Sequence, residues 1–87
     1  MVNTAERFGD NLLRLRRLAD LSQDELAAMA SVHRTHISQM ERGLRLTRID
    51  TLVKLTASLE ATADELLEGI TWQPGEVRRG QFREGDR

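Results

Sequence analysis

Two short helical segments face each other across a connection of about three residues in the first half of this chain, which leaves little choice of geometry. Ser22 and Glu25 have the spacing of a capping box and introduce Leu26, Ala27 and Ala30. After Ser31 and Val32, the stretch from His33 to Arg42 carries Ile37 and Met40, and Gly43 ends it with a residue able to adopt a left-handed backbone. So short a connection prevents the two helices from lying antiparallel along their length, and they must cross steeply.

The remaining apolar pattern builds helices around this pair. Phe8, Leu12, Leu15 and Ala19 recur at helical spacing behind Asn3 and Glu6, a second capping-box pair, and predict a first helix over about residues 5 to 19. Thr47 with Asp50 is read as the cap of a fourth helix bearing Ile49, Leu52, Leu55 and Leu59, and Thr62 with Glu65 as the cap of a short fifth ending at Gly69. Residues 1–69 are thus expected to form an all-α body. Residues 70–87 read as a separate C-terminal tail, in which Ile70 and Trp72 alternate with polar neighbours and Gln73-Pro74-Gly75 has turn chemistry. A small β-hairpin, an extended arm, or a partly disordered end with Trp72 tucked against the body all fit this tail.

Composition removes several classes of function. With 87 residues and no cysteine, there is one domain, no disulfide framework and no thiolate zinc site. A body this small hides only roughly 60% of the surface its unfolded chain exposes, too little to enclose a deep substrate cavity. Apolar runs are a few residues long, and nothing at the start resembles a secretory signal, so a cytoplasmic location is expected. Ser22 and Ser38 have no His and Asp arrangement that would make a nucleophile, and the glycines form no phosphate loop. No enzyme and no cofactor are expected. His33 and His36, three apart without Cys or a carboxylate on their face, make a poor metal site.

Chemistry gathers on the third helix. Projected at about 100° per residue, Ile37 and Met40 fall on one side, while Arg34, Thr35, Ser38, Gln39 and Arg42 fall on the other with no carboxylate among them. These are groups that read double-stranded DNA. Arg bonds guanine O6 and N7, Gln bonds adenine N6 and N7, and the Thr methyl can touch a thymine methyl.

At this point the sequence resembles the phage-repressor-like, or XRE, family of helix-turn-helix DNA-binding proteins, from about Phe8 to Gly69. The resemblance is carried by Leu-Arg-Arg-Leu at 15 to 18, Leu-Ser-Gln-Asp-Glu-Leu-Ala at 21 to 27 and Ile-Ser-Gln-Met-Glu-Arg-Gly at 37 to 43. It implies a five-helix lambda-repressor-like domain in which Ala27 is the small residue where the two helices touch. Leu26, Val32, Ile37 and Met40 would be the wedge between them. Arg34, Thr35, Ser38 and Gln39 are then the base-reading residues. Gln23 would bond a phosphate while propping the first side chain of the recognition helix, and Arg16 with Glu41 would form an internal ion pair clamping the first helix onto the third. Phosphate contacts are expected from His33, Arg42, Arg45 and Arg48 as well.

Four departures from the family pattern are visible. Ser31 stands where the turn often has Gly, and a left-handed backbone there would cost about 1–2 kcal/mol. His33 occupies the place of the usual Ser cap, Glu60 replaces a common Gly, and Leu44 and Leu46 sit in a loop that is usually polar.

A net charge of −1 argues against a polyanion ligand only until the charges are placed. Residues 33–48 hold four Arg against one Glu, a sum of +3, and residues 49–69 hold one Lys against five acids, a sum of −4. The expected molecule is a sequence-specific transcriptional regulator, a homodimeric repressor that sets recognition helices in successive major grooves of a palindromic operator, about 34–36 Å apart. Leu13, Leu18, Leu44, Leu46, Trp72, Val77 and Phe82 are candidate exposed apolar residues, and the fifth helix with the tail is the favoured dimer region. An antitoxin that binds its own promoter and neutralises a partner protein through the tail, or a helical protein-protein adaptor, are the alternatives.

Overall fold

The computed structural model describes residues 3–75 and 80–84. Five helices run in the order α1 (Thr4–Leu18), α2 (Gln23–Ala30), α3 (Arg34–Glu41), α4 (Ile49–Leu59) and α5 (Ala63–Leu66), followed by strands β1 (Ile70–Pro74) and β2 (Gly80–Glu84). Three capping boxes form as the spacing predicts: Asn3 with Glu6, Ser22 with Glu25, and Thr62 with Glu65 each exchange side-chain and backbone bonds in both directions.

Reading Thr47 as the cap of α4 needs correction. Arg48 is the N-cap and makes no side-chain capping bond. The Thr47 hydroxyl instead donates to the Arg48 carbonyl at 3.1 Å, and Asp50 accepts from the adjacent Thr51 amide at 2.9 Å. Asp is one methylene shorter than the Glu or Gln that a capping box requires, so it bonds locally rather than reaching back three residues. With Arg48 outside the helix, Ile49 opens it and points to solvent, 81% exposed, and the buried stripe runs through Thr51, Leu55 and Leu59. Ala19 likewise leaves the expected stripe of α1, as its exposed C-cap.

Between the helices lies one core. Phe8, Leu12 and Leu15 of α1 meet Leu26, Ala27 and Ala30 of α2, Ile37 and Met40 of α3, Leu55 and Leu59 of α4 and Leu66 of α5. Gly9 lets α1 approach α3 closely, because a Cβ there would run into the Met40 and Glu41 carbonyl oxygens. At the other side Asn11 is buried, and its amide donates to the Leu66 and Glu68 carbonyls at 2.9 and 2.8 Å. Those carbonyls lie at the end of α5, where helical partners run out, so Asn11 ties α1 to the last helix.

Helices end on left-handed residues throughout: Asp20 (φ 58°), Ser31 (φ 54°), Gly43 (φ 73°) and Glu60 (φ 50°). After each, the next amide reaches back to a carbonyl of the last turn, as in Val32 to Ala27 at 3.0 Å and Ala61 to Thr56 at 3.0 Å.

The tail is a hairpin. β1 and β2 pair antiparallel with Trp72 opposite Phe82 and Pro74 opposite Gly80. Trp72 is not tucked against the body but 53% exposed, its ring edge-on to Phe82 at 5.0 Å. Val77 lies outside the described residues. The molecule is elongated, 44 × 21 × 20 Å. No helix among the described residues is long and apolar enough to cross a membrane.

Candidate nucleic-acid interface

The crossing of α2 and α3 is set by the αL conformation of Ser31, which turns the chain within three residues. Leu26, Ile37 and Met40 are fully buried in the angle, Ala27 is buried at the contact, and Val32 is half-buried beside them. Pinning one side of α3 in this way fixes what the other side presents. Arg34, Thr35, Ser38, Gln39 and Arg42 line one open depression of about 230 Å³. Arg45, from the loop after α3, joins this surface by donating from Nη1 to Gln39 Oε1 at 3.1 Å.

Arg48 is not brought into the depression. It stands at the start of α4 with an exposed side chain, 3.6 Å from Asp50. His33 is the exposed N-cap of α3 and makes no side-chain capping bond, while its carbonyl accepts from the His36 amide at 2.9 Å. His36 is half-buried on the flank of α3. Burial, then the Arg45 and His33 charges, lower its pKa below the ordinary histidine value.

Behind the surface lies a polar anchor. Arg16 Nε donates to Glu41 Oε2 at 2.6 Å, Arg16 Nη2 to Glu41 Oε1 at 3.0 Å, and Arg16 Nη1 to the Leu21 carbonyl at 2.8 Å. Both side chains are nearly buried, 11% and 4% exposed. Donating these hydrogen bonds to Glu41 raises the Arg16 pKa, against burial, which acts the other way. Gln23, the first residue of α2, also donates to Glu41 Oε1, at 2.9 Å. Its amide is therefore on Glu41 rather than on the first side chain of α3. That side chain, Arg34, meets Asp24 instead, at 3.4 Å and in solvent. Sequence reading passed over Asp24; a carboxylate in the first turn of α2, whose start faces α3, was the available signal.

Of the residues singled out from the sequence, Arg34, Thr35, Ser38, Gln39, Arg42 and Arg45 thus share one cationic surface, His33 borders it, Gln23 sits behind it, and Arg48 stands apart. Rigid backing, a convex helix and side chains offering fork-shaped and amide donors suit the edges of stacked bases better than a small molecule.

Comparison with known proteins agrees with this geometry. The family model described as helix-turn-helix matches residues 12–66. The control protein C.MunI of a Mycoplasma species is 40% identical over 65 residues, covering 74% of this chain and 88% of that protein. The crystal structure of the restriction-modification controller protein C.AhdI from Aeromonas hydrophila superposes with a TM-score of 0.69 at 32% identity, over 71% of this chain and 94% of that one. The P22 c2 repressor, crystallised in complex with a synthetic operator, gives a TM-score of 0.67 at 29% identity, over 71% and 94% of the two chains. With more than half its length matched and α2 joined to α3 through the left-handed Ser31, the chain belongs to the phage-repressor-like, XRE-type family of helix-turn-helix proteins.

Proposed function

We propose that the chain is a sequence-specific DNA-binding transcriptional regulator that acts as a homodimer in the cytoplasm and lays α3 in the major groove. One observation carries this reading: the inner side of α3 is locked by Ile37, Met40 and the Arg16–Glu41 pair, while its outer side gathers Arg34, Thr35, Ser38, Gln39 and Arg42 around one open depression. Arg34, Thr35, Ser38 and Gln39 read base edges. Gln23, His33, Arg42, Arg45 and Arg48 contact phosphates, which position the helix without carrying sequence information. No residue has a catalytic task.

Because α3 presents only a few side chains, one copy reads a few base pairs, and a palindromic operator bound by two copies supplies the rest of the specificity. A relative described as a control protein and a solved neighbour described as a restriction-modification controller protein support a regulatory role for this chain, which we take to be repression.

Selecting bound sequences from a random DNA pool tests the reading directly. A consensus with two-fold symmetry is expected. Arg34→Ala should lose about 1–3 kcal/mol of binding to the selected sequence with little change in melting temperature. An equal loss on selected and scrambled DNA would remove Arg34 from the base-reading set, and the absence of any salt-sensitive shift on either DNA would sink the proposal and favour a protein-protein adaptor.

A further inference from the structure

The turn that ends α3 brings a cation against one of the helix's own base-reading side chains. Gly43, at φ 73°, reverses the chain, and the Leu44 amide donates to the Gln39 carbonyl at 2.9 Å. Arg45 comes next, so its side chain starts beside the last turn of α3 and donates from Nη1 to Gln39 Oε1 at 3.1 Å. The same cation acts on His36, three residues before Gln39, whose pKa is lowered by burial first and then by Arg45. Among the described residues no carboxylate pairs with Arg45.

A guanidinium has five N–H donors and no acceptor, so the end of an amide that faces it is the oxygen. The Gln39 amide is therefore turned. Oε1 looks back to Arg45, and Nε2, without a hydrogen bond to any described residue, is the end left for a ligand. A free glutamine pairs with adenine by accepting from N6 while donating to N7. Gln39 is poorly set for that pair: Oε1 keeps a second lone pair, but an amino group approaching it would bring its hydrogens against the Arg45 cation. Guanine presents two acceptors at this edge, O6 and N7, whereas cytosine presents only the N4 donor.

We propose that Arg45 is a specificity-determining residue: by holding Oε1 it makes Gln39 a donor that selects guanine, and not adenine, at its base pair. Arg45 acts here as a positioning residue, through Gln39, and its remaining N–H groups stay available to phosphate. The inference deepens the base-reading role proposed above for Gln39 and rests on it.

Selection from a random DNA pool at low salt, run in parallel on the unaltered chain, Gln39→Ala and Arg45→Ala, tests it. Low salt keeps the weakened variants on DNA. The base pair at which Gln39→Ala loses its preference is the one Gln39 reads. There the unaltered chain should favour guanine over adenine by at least about 5-fold, and Arg45→Ala should bring adenine to within about 2-fold of guanine at that pair alone. A phosphate contact by itself would weaken every sequence alike and leave the preference intact. In the free protein, the side-chain amide resonances of Gln39 should shift in Arg45→Ala while the helical circular-dichroism spectrum is unchanged, since neither side chain belongs to the buried core. Any base other than guanine at that pair, a guanine preference that survives Arg45→Ala, Gln39 resonances that do not move, or a Gln39→Ala variant that relaxes no position overturns the inference. A consensus that persists alongside any of these results leaves the regulator reading standing. An unaltered chain that selects no sequence at all removes that reading, and this inference with it.

Discussion

A carboxylate at 4% exposure needs dedicated partners, and Glu41 has two: the Arg16 guanidinium on both oxygens and the Gln23 amide on one. Removing one member leaves a buried charge alone. Arg16→Ala should therefore cost about 3–5 kcal/mol of unfolding free energy in urea titrations, whereas Arg16→Met combined with Glu41→Leu should cost clearly less, because no charge is stranded. A loss in the double variant as large as in the single one would mean that packing, not charge, is what Arg16 supplies. His36 gives a second test at this scale. Its pKa is lowered in the folded chain, by burial first and then by Arg45 and His33, from an ordinary value of 6.5. Its neutral form is the one the fold prefers, so its contribution is complete above pH 6.5 and is lost as the pH falls from there through the lower folded value. His36→Gln should flatten the decline in stability over that acidic window, as followed by melting temperature against pH. At this scale the site was legible as a set of residue types on one helix face. The bond from Gln23 to Glu41 and the contact of Arg34 with Asp24 were not, because both depend on the angle at which two helices cross rather than on spacing along either.

Helix ends, more than helix interiors, decide this architecture. Three of four interhelical corners put a residue with a Cβ in the left-handed region, at Asp20, Ser31 and Glu60. Ser31→Gly and Glu60→Gly should each raise stability by about 1 kcal/mol in thermal or urea unfolding, the relieved strain exceeding the added freedom of the unfolded chain. A fall in stability on either change would place the compensation in contacts of the lost side chain. The same ends explain what could be read in advance. Asn3–Glu6, Ser22–Glu25 and Thr62–Glu65 are local signals whose two members meet whatever the rest of the chain does. Thr47–Asp50 imitates the spacing but lacks the side-chain length, and the misplaced start of α4 carried Ile49 into the core on paper when it stands in solvent. Pairing of β1 with β2 was one of several open options for the tail, since the alternation of Ile70 and Trp72 specifies a strand without specifying its partner.

At the scale of the molecule, the balanced total charge conceals a separation. Segment 33–48 sums to +3 and segment 49–69 to −4. Opposition of this kind steers DNA to one side while adding little overall affinity, so non-specific binding should be weak and steeply salt-dependent. Arg45→Ala or Arg42→Ala should reduce the slope of log K against log salt by about one per copy of the chain bound, on selected and scrambled DNA alike. An unchanged slope would take that arginine off the phosphate backbone. Shape has its own effect. At 44 Å by about 20 Å, the chain is roughly twice as long as it is wide, and a prolate particle meets more frictional drag than a sphere of equal mass. A single copy will therefore leave a gel-filtration column slightly early, but so modest an elongation adds far less drag than a second copy would, so elution position read against globular standards still separates one copy from two.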